Sequence, residues 1–133
     1  MMFIARKTRG FTLIELMIVI SIMLILISIA VPMYQQSIIR AREAVLRDNL
    51  FTLRSVIDQF TLDKQRAPQS LDELVSAGYL KQVPVDPFTN RGDTWVPVQE
   101  DVMLSVDQNQ PGISDVHSGS DLLSAEGTPY SSW

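Results

Sequence analysis

The sequence predicts an α+β fold. One long, kinked N-terminal helix, its first half transmembrane, packs on a small C-terminal domain with a short helix, a small antiparallel sheet and a long loop. Three observations predict it. From Phe11 to Val31 run 21 residues whose single charge is Glu15. Beyond Pro32, apolar residues recur every three or four positions as far as Phe60. After that, capping residues, glycines and prolines cut the chain into short pieces.

The first element is a basic leader, residues 1–10, with Arg6, Lys7 and Arg9 ahead of Gly10. Positive charge on that side of an apolar span holds the N-terminus in the cytoplasm. The span itself, residues 11–31, covers roughly 30 Å as a helix, the thickness of a bilayer core. A carboxylate inside such a segment costs about 2.5–3.5 kcal/mol even on the mild insertion scale, so Glu15 reads as a functional residue. A plain single-span anchor leaves it unexplained. An ordinary secretory signal needs a small-residue cleavage site after the apolar region, and Ser28-Ile29-Ala30 mimics one.

Residues 32–62 continue as an amphipathic helix. Ile38, Ile39, Val45, Leu46, Leu50, Leu53, Val56, Ile57 and Phe60 form its apolar stripe, and Arg40, Arg42, Glu43, Arg47, Asp48, Arg54 and Asp58 fill the other faces. Pro32 lies inside the combined helix and is expected to kink or locally melt it, because its ring displaces a backbone hydrogen bond. A complete break there, at the membrane surface, is the alternative.

Residues 63–133 form the small domain. Arg66-Ala67-Pro68-Gln69 reads as a turn. Ser70 followed by Glu73 is a capping box that opens a short helix closed by Gly78. Tyr79 to Phe88 is irregular, with Pro84 and Pro87 fixing two backbone angles and Asp86 placed to accept amide bonds in the turn. Thr94–Val98 and Val102–Val106 are expected to pair as a hairpin across Gln99-Glu100-Asp101, with Pro97 restricting the first strand to an edge. Asp107 to Trp133 is expected to be loop with at most one short strand, pinned by Tyr130 and Trp133.

Composition limits the function. The net charge is −4, and loss of Arg6, Lys7 and Arg9 with the leader would leave −7. From Asp63 onward there are 11 acidic and 4 basic residues, the wrong sign for a nucleic-acid face. There is no cysteine, so stability must come from packing, assembly or a bound ion. His117 is the single histidine, which does not make a zinc site of three or four ligands. Ser118 and Ser120 flank it without a nucleophile elbow, and no glycine-rich phosphate loop is present, so no enzymatic activity is expected.

Gly10-Phe11-Thr12-Leu13-Ile14-Glu15, the apolar run and Pro32 together resemble the class III signal of type IV pilins and type II secretion pseudopilins. Further on, Leu71 to Leu74, Gly78-Tyr79-Leu80-Lys81, Val83-Pro84-Val85-Asp86-Pro87-Phe88 and Asn90 look like the protein G family of major pseudopilins; the likeness fades over the last thirty residues. The resemblance implies a type IV pilin-like fold. It implies cleavage after Gly10 by a prepilin peptidase, methylation of the new N-terminus at Phe11, and a role for Glu15 in assembly, paired with the Phe11 amine of an adjacent subunit. It also implies a homopolymer through the N-terminal helix, with minor pseudopilins and an inner-membrane assembly platform as partners. The chain would sit in the bacterial inner membrane, its domain periplasmic, until built into a pseudopilus driving protein export.

The protein G family carries a calcium loop in its C-terminal region. Ser118 and Asp121 match the start of that pattern loosely, the later Asp-rich stretch is missing, and Glu126 would have to substitute. Hard cations take six to eight oxygens, so Asp115, Ser118, Asp121 and Glu126 are the candidate calcium ligands, with a solvated Ser/Asp loop as the alternative. Two other functions stay open. A major or minor type IV pilin forming a surface pilus would share everything up to Leu62, although many major pilins close their C-terminal region with a disulfide and this chain has no cysteine. A membrane-tethered binding module would keep its anchor uncleaved.

Overall fold

A computed structural model describes residues 9–100, 106 and 111–133. They fall into two compact units, one ending at Ile38 and one running from Ile39 to Trp133. The element order is α1 (Leu13–Lys64), α2 (Leu71–Ser76), β1 (Val96–Gln99), β2 (Ile113–His117) and a short 3₁₀ turn at Tyr130–Ser132. This is the α+β arrangement of a pilin-like chain.

Helix α1 starts where the sequence offers a cap. Thr12 Oγ1 accepts the amide of Glu15 at 3.2 Å, and the Thr12 carbonyl accepts the amide of Leu16 at 3.1 Å. The helix is assigned without a break through Pro32, so the chain does not terminate there. In the first unit every apolar side chain of the helix but Ile38 is exposed, and α1 is long and apolar enough to cross a membrane. Such a surface has no aqueous solution: it needs lipid or other apolar helices around it.

In the second unit the stripe becomes a core. Leu46, Leu50, Leu53, Ile57 and Phe60 of α1 are buried with Leu74, Trp95, Ile113, Val116 and Tyr130. Three positions depart from the expected pattern. Ile39 and Val45 stay 43 % and 49 % exposed, while Glu43 is buried to 6 %. The cause is angular. Leu46 points into the domain, and Val45 is rotated about 100° from it, whereas Glu43 lies three residues before Leu46 on the same face.

Helix α2 follows the predicted cap. Ser70 Oγ accepts the Glu73 amide at 3.2 Å, and Gly78 closes the turn at φ +84°. Glu73 reaches back to the Gln69 amide at 2.7 Å and pairs with Arg66. Burial raises the Glu73 pKa, but the Arg66 hydrogen bond, the Gln69 amide and the Arg66 charge outweigh it and leave the pKa lowered.

The antiparallel sheet has a different second strand from the one expected. β1 pairs with β2, Val96 opposite His117 and Val98 opposite Asp115, with an irregularity at Val98/Gln99. The expected partner begins at Val102, and 102–105 lie outside the described residues. Ile113 and Val116 of β2 both face the core, at 2 % and 0 % exposure. All four β1 residues are exposed, and Pro97 lies within β1 as an edge strand allows. After β2 the chain passes so close to Thr94 that a Cβ on Gly119 would lie 2.1 Å from the Thr94 carbonyl oxygen, which makes glycine obligatory there.

Candidate processing and assembly site

The N-terminal residues singled out by the sequence stand together. Arg9, Gly10, Phe11 and Glu15 line one cleft of about 450 Å³ at the start of α1. Glu15 lies in the first helical turn, where a negative charge faces the unsatisfied amides of the helix end. Thr12 and Glu15 therefore also have the spacing of a capping box, a signal readable from the sequence that the functional reading of Glu15 passed over. Phe11 is 83 % exposed, and a Cβ added at Gly10 meets nothing within 4 Å. The chain's own packing does not demand glycine at position 10.

In the second unit, three polar anchors hold the C-terminal tail to the domain. The first is Glu43. Its Oε1 accepts the amide of Ala125 at 2.9 Å and the hydroxyl of Tyr130 at 2.8 Å. Burial, then the hydrogen bond to Glu43 and its charge, push the Tyr130 hydroxyl up to about 12. The second is Arg54, whose Nε donates to Asp115 Oδ1 at 2.7 Å and whose Nη2 donates to the carbonyls of Val116 and Trp133. The third is Asp86, fully buried. It accepts the Phe88 amide at 2.9 Å, as its place in the proline turn implies, and the hydroxyl of Ser118. Aromatic packing completes the hold: Phe88 stacks on Tyr130 at 3.8 Å, and Trp133 meets Tyr130 edge-on at 5.0 Å.

These anchors bear on the four candidate calcium ligands. Asp115 is committed to Arg54 and to the Val116 amide. Burial raises its pKa, but the Val116 amide, Arg54 and the nearby His117 together lower it. Ser118 donates to Asp86 and accepts the Ser120 amide. Asp121 and Glu126 are exposed. Among the described residues no three acidic or histidine side chains converge as a metal site would need. An ion on this loop is left with Asp121, Glu126 and backbone carbonyls. The latch at Glu43 was invisible to periodicity, because a lone Glu among charged neighbours looks like a solvated face until the tail returns to it.

A capped apolar helix led by a Gly-Phe junction, on a small α+β domain, defines a pilin-like chain with an N-terminal methylation signal. Residues 5–31 match the prokaryotic N-terminal methylation motif. The chain is 34 % identical to the type II secretion system core protein G of Aeromonas hydrophila over 101 residues, 64 % of this chain and 71 % of that protein. It is 31 % identical to the core protein G of Klebsiella michiganensis over 129 residues, covering 83 % and 91 %. A type IV major fimbrial protein, FimA of Dichelobacter nodosus, is 41 % identical over 61 residues, 46 % of this chain and 38 % of that protein. No solved structure matches. The chain belongs to the type II secretion system core protein G family.

Proposed function

We propose that this chain is a structural pseudopilin subunit that polymerises through α1 into the pseudopilus of a type II secretion system and drives protein export across the outer membrane. The observation that carries the proposal is a helix whose residues 13–37 all stay exposed, long and apolar enough to cross a membrane, with one carboxylate near its start. Before assembly the span sits in the inner membrane, N-terminus cytoplasmic, as the leader charges favour. A prepilin peptidase cuts after Gly10 and Phe11 is methylated. The new amine then meets Glu15 of a neighbouring copy, which relieves the cost of a carboxylate among apolar helices. Pro32 is a bend point in the helix, since the Ser28 carbonyl loses its donor there. Minor pseudopilins and an inner-membrane platform act on the same surface, and the chain itself catalyses nothing. Coverage of most of core protein G favours export over a surface pilus, since the fimbrial likeness extends over less than half of this chain.

Calcium belongs to the same proposal in reduced form. Asp121 and Glu126, with carbonyls of the tail loop, would hold it; the support is an acidic, cysteine-free domain and the resemblance of Ser118 and Asp121 to the family's loop.

The test joins processing to assembly. Mass spectrometry of membrane-extracted protein should show a methylated Phe11 at the N-terminus; a chain beginning at Met1 would make it a tethered module. Glu15→Leu should insert and be cut normally yet form no filaments. Normal filaments and export from that variant would remove Glu15 from assembly.

A further inference from the structure

Between α2 and the segment leading into β1 lies a groove of about 650 Å³. Its walls are Leu71, Val75 and Val83, its floor includes Trp95, and two exposed carboxylates, Asp72 and Asp93, stand on it. The indole is fixed in place, since Trp95 Nε1 donates to the Pro84 carbonyl at 2.7 Å. Apolar walls, an aromatic ring and two carboxylates are what a long cationic side chain needs: cover for its methylenes and acceptors for its head.

Arg42 has the complementary property. It lies four and eleven residues before Leu46 and Leu53, on the helix face that carries the domain, one turn ahead of the first fully buried leucine. Leu46 and Leu53 are at 0 % exposure, yet Arg42 is exposed, and among the described residues no ion pair or hydrogen bond engages its head. Arg40, two residues earlier, is turned about 200° away from it, off that face.

We propose that the Leu71–Trp95 groove receives Arg42 of a second copy of this chain, so that the domains interlock one above another. This rests on the pseudopilus reading and adds to it a contact outside the apolar helix. The axial offset follows from the fold. Tyr79, just after α2, packs edge-on to Phe60 at 5.4 Å and its hydroxyl reaches Asp63 at 2.8 Å, while Asn49 donates to the Val85 carbonyl at 3.1 Å beside Val83 and Trp95, so the groove lies along α1 between the levels of Asn49 and Asp63. Arg42 precedes those levels by about seven to twenty residues, so parallel copies must be displaced by about 10–30 Å along the helix. Arg91 already pairs with Asp93 at 2.7 Å, but both are exposed, and such surface pairs exchange readily.

The chain has no cysteine, which makes the contact directly readable. Arg42→Cys combined with Asp72→Cys, treated with a short bismaleimide in cells carrying the native assembly machinery, should give a ladder of linked copies; neither single variant should. A second arm reads charge. Asp72→Lys with Asp93→Lys should lower filament yield at least tenfold, and Arg42→Glu added to that pair should restore most of it. Filaments that form normally but give no ladder, with no rescue by Arg42→Glu, overturn the groove contact while leaving the assembly reading intact. Failure of the unmodified chain to form any filament overturns both. Loss of export from the double lysine variant with undiminished filaments assigns the groove to exported protein instead, and overturns the proposal.

Discussion

Replacing Glu43 by alanine should loosen the C-terminal tail more than any surface change of equal size. The carboxylate is 6 % exposed and accepts from the Tyr130 hydroxyl, itself in a residue 1 % exposed, and from the Ala125 amide. Ala125 is exposed, so water can replace that partner. The Tyr130 hydroxyl is not so placed, and leaving it unpaired costs about 1–3 kcal/mol. The buried carboxylate carries its own desolvation penalty, whose removal offsets part of the loss. A net destabilisation of about 2 kcal/mol remains, roughly 8–16 °C of melting temperature for a domain near a hundred residues. Glu43→Gln keeps an acceptor oxygen and should cost under about 1 kcal/mol. Thermal melts of the 39–133 unit by circular dichroism read both, and Tyr130 should ionise nearer its ordinary 10 in either variant. An alanine variant melting within about 3 °C of the parent, or a glutamine variant falling as far as alanine, would refute the acceptor argument.

Gly10→Val should fold unchanged, since nothing surrounds position 10, but should accumulate as the uncut form on immunoblots; normal cutting would remove the leader reading. Acid should weaken the domain: the pKa values of Glu73 and Asp115 are lowered on folding, so their contribution is complete above the unfolded values of 4.5 and 3.8 and is lost as pH falls through the folded ones. Melts between pH 6 and 2, repeated with Arg54→Ala, should show the Asp115 part of that loss shrink, the Val116 amide still lowering its pKa; identical pH profiles would count against the pairing. For calcium, millimolar ion should raise the melting temperature of the parent and not of Asp121→Ala, while coincident curves with chelator would return the loop to a solvated tail.

What the sequence determined by itself is the part governed by local rules. The apolar run, the cap at Ser70 and the turn glycine at Gly78 each follow from neighbours within four residues and appear where expected, and the unforeseen cap at Thr12 obeys the same local rule. The stripe on α1 was legible because helical periodicity is local too, and it erred at Val45 and Glu43 because periodicity gives a face without saying what returns to cover it. The tertiary structure decided the long-range pairings. β1 takes Ile113–His117 as a partner, two of whose residues the core buries, a pairing that neighbouring residues alone do not specify. Asp115 and Ser118 looked like open ligands until Arg54 and Asp86, 61 and 32 residues away, engaged them. A side-chain oxygen near a partner in space carries no mark of that partner in the chain, so its availability is settled only when the fold closes.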